Sequence, residues 1–100
     1  MKDQLLNIIK MHTPDDPIVS ARLEQKLGLS GIQVRALIKD LRRVDKHICS
    51  SSTGYYYSDD VKHVTATIEN LERRAHSMLK TAASMRRTFK ITSQLDLFKI

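Results

Sequence analysis

The sequence predicts a mainly α-helical fold with a small β-hairpin, continued by a long heptad-patterned helix and a flexible tail. Three observations predict it. Short amphipathic segments run as far as Arg43, interrupted by a proline turn and by Gly28. Two β-favouring stretches, His47–Ser50 and Tyr55–Ser58, flank the small polar loop Ser51-Ser52-Thr53-Gly54. From Val61 to Phe89 apolar residues recur at alternating steps of three and four, with no Gly or Pro between them.

Each element follows in order. Leu5, Leu6, Ile8 and Ile9 cluster on one side of a helix expected over Asp3 to Met11, which Thr13-Pro14-Asp15-Asp16-Pro17 then stops. Ser20 is expected to cap a second helix of about residues 21–27, with Leu23 and Leu27 four apart and Gly28 in the left-handed position after it. Ser30 caps the third helix, where Val34, Leu37, Ile38 and Leu41 form a core stripe ending near Arg43. Strand alternation places Tyr56 in the core and turns Tyr55 and Tyr57 to the surface. In the long helix Val61, Val64, Ile68, Leu71, Ala75, Met78, Ala82, Met85 and Phe89 occupy the a and d positions of four heptads. Ile91 to Ile100 has neither a cap nor a helical stripe and reads as a tail. The expected division is residues 1–58, 59–90 and 91–100.

Composition narrows the functional classes. A chain of 100 residues holds about one small module with appendages. Seventeen Lys and Arg against 11 Asp and Glu give a net charge of +6, and the pI near 9.7 favours a polyanionic partner such as nucleic acid. The charge is uneven: residues 1–60 carry nine basic and eight acidic groups, whereas residues 61–90 carry seven and two. One cysteine, Cys49, rules out an internal disulfide framework and fits a reducing cytoplasm, and no apolar run approaches a membrane span or a secretory signal. His47 and Cys49 are two apart but lack a second ligand pair, and Asp15-Asp16 and Asp59-Asp60 sit where turns and helix caps want acids. The expectation is therefore no enzyme, no metal and no cofactor.

The order of three helices and a hairpin, with Ser20 to Leu41 carrying two helices around Gly28-Leu29-Ser30, resembles the winged helix-turn-helix family, most closely its biotin-repressor-type branch. Gly54-Tyr55 in the hairpin matches that branch, while Glu24 stands where it usually has a small residue. The resemblance covers roughly residues 3–58 and implies contact with double-stranded DNA. On a helical wheel Arg35, Arg42, Arg43 and Lys39 lie opposite the apolar stripe of the third helix. In this reading Gln33, Arg35 and Lys39 point into a major groove, and Arg42, Arg43, Ser51, Ser52 and Thr53 touch phosphates. A protein-binding module with a solvated basic face is the alternative, favoured by the near-neutral charge of residues 1–60.

The heptad helix suits a two-stranded coiled coil and hence a homodimer. Folding back on the chain's own domain is the competing reading, since Ala75, Ala82, Met78 and Met85 weaken the later heptads and the flanks hold Thr65, Thr67, Thr81 and Thr88 in place of matched charges. Arg73, Arg74, Lys80, Arg86, Arg87 and Lys90 either follow a phosphate backbone or keep the helix soluble.

Gln94-Leu95-Asp96-Leu97-Phe98 resembles the motif by which bacterial polymerases and repair proteins hold the β sliding clamp. All five positions match, a coincidence expected about once in several thousand chains of this length. The resemblance implies that Leu97 and Phe98 fill an apolar pocket, Gln94 hydrogen-bonds beside it, and Leu95 and Asp96 set the backbone between them. Docking of Leu95, Leu97, Phe98 and Ile100 on the chain's own core is the alternative. Together these features predict a DNA-binding adaptor on the bacterial sliding clamp, of the kind a bacteriophage or mobile element would use to redirect replication. The rival readings are a clamp inhibitor without DNA binding and a dimeric transcriptional repressor.

Overall fold

The structure, a computed structural model, describes residues 1–89, so the pentapeptide Gln94 to Phe98 and Lys90 lie outside the described residues. The described chain is mainly helical with one antiparallel hairpin, in the order α1 (Lys2–Ile9), α2 (Ser20–Leu27), α3 (Gly31–Arg42), β1 (Ile48–Ser51), β2 (Gly54–Tyr57) and α4 (Val61–Phe89). It divides into a unit spanning Met1–Thr67 and a second beginning at Ile68.

In the first unit α1 to α3 pack around Leu5, Ile9, Leu23, Val34 and Ile38, each 2 % exposed or less. Burying such side chains stabilises the fold by about 1.5–3 kcal/mol apiece, before the entropy cost of ordering them. The α1 helix closes two residues earlier than expected, with Lys10 and Met11 in a turn bonded back to Leu6 and Ile8. Ser20 is not the cap that its residue type suggests. Val19 takes the extended cap conformation, Ser20 is the first helical residue, and its hydroxyl donates to Glu24 Oε2 at 3.1 Å. Gly28 does end α2 in the left-handed conformation, at φ 65°. Ser30 and Gln33 form a reciprocal capping box on α3: Gln33 N–H donates to Ser30 Oγ, and Ser30 N–H donates to Gln33 Oε1 at 2.9 Å.

The hairpin is tighter than the sequence suggests, with Ser51 opposite Gly54 and only Ser52 and Thr53 between them. A third partner joins it: Ile18, between α1 and α2, exchanges two backbone hydrogen bonds of 2.8 Å with Tyr55. Both faces of the hairpin are covered. Ile48, Tyr55 and Tyr57 pack on the helical core, so Tyr55 and Tyr57 are half-buried and not the surface residues that simple alternation predicts. Lys10 Nζ lies 5.1 Å from the Tyr57 ring centroid. Cys49 and Tyr56, cross-strand partners, are buried on the other face. There His63 meets Tyr56 edge-on at 5.7 Å, and the buried Thr67 hydroxyl accepts the Ser50 N–H at 3.3 Å. The first two turns of α4 thus belong to the first unit. They begin at Asp60, whose Oδ1 accepts the Lys62 N–H at 2.9 Å.

In the second unit the a and d residues from Ile68 onward are exposed, Leu71 least of the large ones at 38 % and Met78, Met85 and Phe89 far more. Leu79, beside this seam, is exposed too. Among the described residues no helix is long and apolar enough to cross a membrane.

Candidate nucleic-acid interface

The outward face of α3 is built by the burial of its inward one. With Val34, Ile38 and Leu41 fixed in the core, Arg35, Lys39 and Arg43 fall within a sector of about 80° on the exposed side. Among the described residues these three make no ion pair. The Arg35 guanidinium reaches back over Gly31, where an added Cβ would sit 3.2 Å from Arg35 Nη1 and 3.4 Å from Glu24 Oε2. Glu24 therefore places a carboxylate beside the start of α3. Asp40 is held at the rim by Lys2, 3.6 Å away.

Two of the residues expected at DNA have other partners. Arg42 is half-buried and turned to the hairpin, its Nε donating to the Ile48 carbonyl at 2.8 Å and its Nη2 to Ser50 Oγ at 3.3 Å. Its wheel angle placed it at the margin of the basic sector, where a neighbouring strand claims it. Gln33 is exposed, but Oε1 is engaged by the capping box, and glutamine needs that oxygen as well as its amide NH₂ for bidentate pairing with adenine. It also lies well around the helix from the basic sector. Ile32, 74 % accessible, does lie in that sector, and the exposed Ala36 borders it. They supply apolar surface of the type that meets a thymine methyl, and their wheel angles were the available signal.

At the hairpin turn Ser51, Ser52 and Thr53 are exposed, with Ser51 Oγ and Thr53 Oγ1 2.9 Å apart and the Thr53 N–H donating to Ser51 Oγ. The turn offers hydroxyls but no cation. At the opposite, open end of the hairpin, His47 is clasped by two carboxylates, Nδ1 at 2.7 Å from Asp59 and Nε2 at 3.2 Å from Asp45. Cys49 Sγ is buried near the His47 and Ser58 carbonyls. Burial pushes the Cys49 thiol above its ordinary pKa, against opposing pulls from the Thr67 hydroxyl and Arg42. No group of three or more metal-ligating side chains gathers among the described residues. The exposed α4 residues Ile68, Leu71, Met78, Met85 and Phe89 form a continuous apolar stripe on one helix face, with Ala75 and Ala82 between them. Val61 at its start is exposed and Val64 half-buried. No known protein family, curated protein or solved structure matches this chain.

Proposed function

We propose that the protein is a DNA-binding adaptor that docks on the bacterial DNA polymerase sliding clamp through Gln94-Leu95-Asp96-Leu97-Phe98. The five-position match of that pentapeptide carries the reading. A winged helix-turn-helix assignment for the first unit is supported by the order α1, Ile18 bridge, α2, α3, hairpin, and by an exposed Arg35, Lys39 and Arg43 on the third helix. In this proposal Arg35, Lys39 and Arg43 meet the duplex, with Ser51, Ser52 and Thr53 at the adjacent phosphates. Two protomers paired along the Ile68 to Phe89 seam present two tails to one clamp ring, which raises avidity without any new contact.

A second reading, clamp binding without DNA, is favoured by the +1 charge of residues 1–60. Gel-filtration of the protein with a sliding clamp and a labelled duplex separates the two. The adaptor reading expects one complex containing all three, which loses the clamp in Leu97→Ala/Phe98→Ala and holds the duplex more weakly in Arg35→Gln/Lys39→Gln. Clamp binding with no duplex at any salt concentration supports the second reading, and no clamp binding sinks both.

A further inference from the structure

The outer side of α4 carries a second heptad stripe that the seam does not use. Arg73, Ser77, Lys80, Ser84 and Arg87 recur at steps of 4, 3, 4 and 3, and all five are exposed. With ~100° per residue they centre ~160° around the helix from the apolar seam. Arg73, Lys80 and Arg87 fall at the f positions, the outermost place of a heptad. Between Arg73 and Lys90 there is no Asp or Glu, while Arg74 and Arg86 add two further charges on the flanks. Among the described residues none of these cations has an ion-pair partner, and Arg87 Nη2 donates to Ser84 Oγ at 3.1 Å within the stripe.

Such a face has few acids to balance it. Five cations lie within about four turns, and only Arg73 has an acid four residues away, Glu69. Arg, Lys and hydroxyl side chains alternating along a rigid rod are instead the set that meets phosphate oxygens. We infer that this stripe is a second nucleic-acid contact, binding the sugar-phosphate backbone of duplex DNA independently of base sequence. It shares with the proposed function only the class of ligand, since it lies on a different element from α3. Arg73 to Arg87 spans ~21 Å, over which a duplex carries about 12 phosphates, ample for three contacts. An anionic bilayer fits less well. A helix lying in a lipid interface buries its apolar face and sends basic groups from the flanks to the headgroups, whereas Arg73, Lys80 and Arg87 point away from the apolar side.

Salt dependence tests it. Fluorescence anisotropy with a random-sequence duplex of ~30 base pairs, across a potassium chloride series, measures the slope of log affinity against log salt for the full chain. Arg73→Gln/Lys80→Gln/Arg87→Gln removes three charges while keeping good helix formers, and unchanged far-ultraviolet circular dichroism checks the fold. Losing three phosphate contacts lowers the slope by ~2.7. Equivalently, the ~40-fold share of the wild-type affinity loss between 50 and 200 mM salt that they carry disappears. Lys2→Gln/Lys10→Gln/Lys26→Gln, which removes equal charge from α1, the turn after it and α2, leaves the slope within one unit of wild type. A stripe variant with the wild-type slope, or one changed no more than this control, overturns the inference. So does a wild-type chain that binds no duplex at low salt, or one whose stripe variant loses only its binding to phosphatidylserine vesicles. Arg35→Gln/Lys39→Gln, run in parallel, reports on α3 separately, so failure of the stripe and failure of the α3 reading are told apart.

Discussion

Replacing Gly54 by alanine tests the construction of the hairpin at its tightest point. Gly54 has φ +146°, and a Cβ built there lies 2.6 Å from the Ile18 carbonyl oxygen and 2.7 Å from its carbon. Ordinary contact begins near 3.4 Å, so the Ile18 strand must retreat by about 0.8 Å. That displacement stretches the two 2.8 Å bonds between Ile18 and Tyr55 to about 3.6 Å, beyond hydrogen-bonding distance. Two lost backbone bonds cost about 1 kcal/mol each, and the strained backbone adds about 1–3 kcal/mol. A total of about 3–5 kcal/mol lowers the melting temperature by at least ~12 °C for a domain of this size. All three tyrosines lie in β2, so tyrosine fluorescence during thermal melting reads this unit directly. Gly28→Ala, at φ +65° with nothing within 4 Å, costs only the left-handed penalty of about 1–2 kcal/mol. Gly31→Ala meets only the flexible ends of Arg35 and Glu24 and stays within about 0.5 kcal/mol of wild type. A Gly54→Ala protein that melts within ~3 °C of wild type, or above Gly28→Ala, refutes the reasoning.

Three further outcomes follow from the same structure. Arg42→Met destabilises by about 2 kcal/mol in urea titration, because it orphans the Ile48 carbonyl, whereas Arg43→Met changes stability by less than about 0.5 kcal/mol; equal effects contradict the hairpin role of Arg42. Burial raises both the Cys49 thiol and the Tyr56 hydroxyl above their ordinary values of 9.0 and 10.0, so the folded state favours their neutral forms. Their contribution is complete below pH 9 and is lost as pH rises through the raised values; urea midpoints should hold to about pH 9 and then fall, less steeply in Cys49→Ser, and a flat profile contradicts this. Charging the seam with Ile68→Glu/Leu71→Glu converts a sedimenting dimer to a monomer while leaving the tyrosine melt intact, and a wild-type chain that sediments as a monomer removes the coiled-coil reading.

How much could be read from the sequence differs from element to element. The stripe Val34, Ile38, Leu41 was legible because one buried helix face enforces its period, and the Ser30 and Gly28 signals worked because cap chemistry is local. The Ile18 bridge was not legible: one residue pair has no period, and its only trace is a glycine at position 54 whose necessity appears once the two chains meet. Tyr55 and Tyr57 defeated the alternation rule because both hairpin faces are covered, one by α1 to α3 and the other by the start of α4. For the candidate interface, wheel angles correctly put Arg35, Lys39 and Arg43 on the exposed side of the helix but treated the flanking Arg42 alike, since a wheel holds no record of the neighbouring strand. It also held Ile32, passed over because an apolar residue attracts no electrostatic argument.

The pentapeptide is the centre of the account, and calorimetric titration of a bacterial sliding clamp tests it most directly. The intact protein should bind with a Kd on the order of micromolar per tail, as expected of a short peptide ordered on binding, and Leu97→Ala/Phe98→Ala should give no heat of binding under the same conditions. Equal binding by both proteins, or none by the intact chain, contradicts the adaptor reading and moves the dimeric repressor to the front.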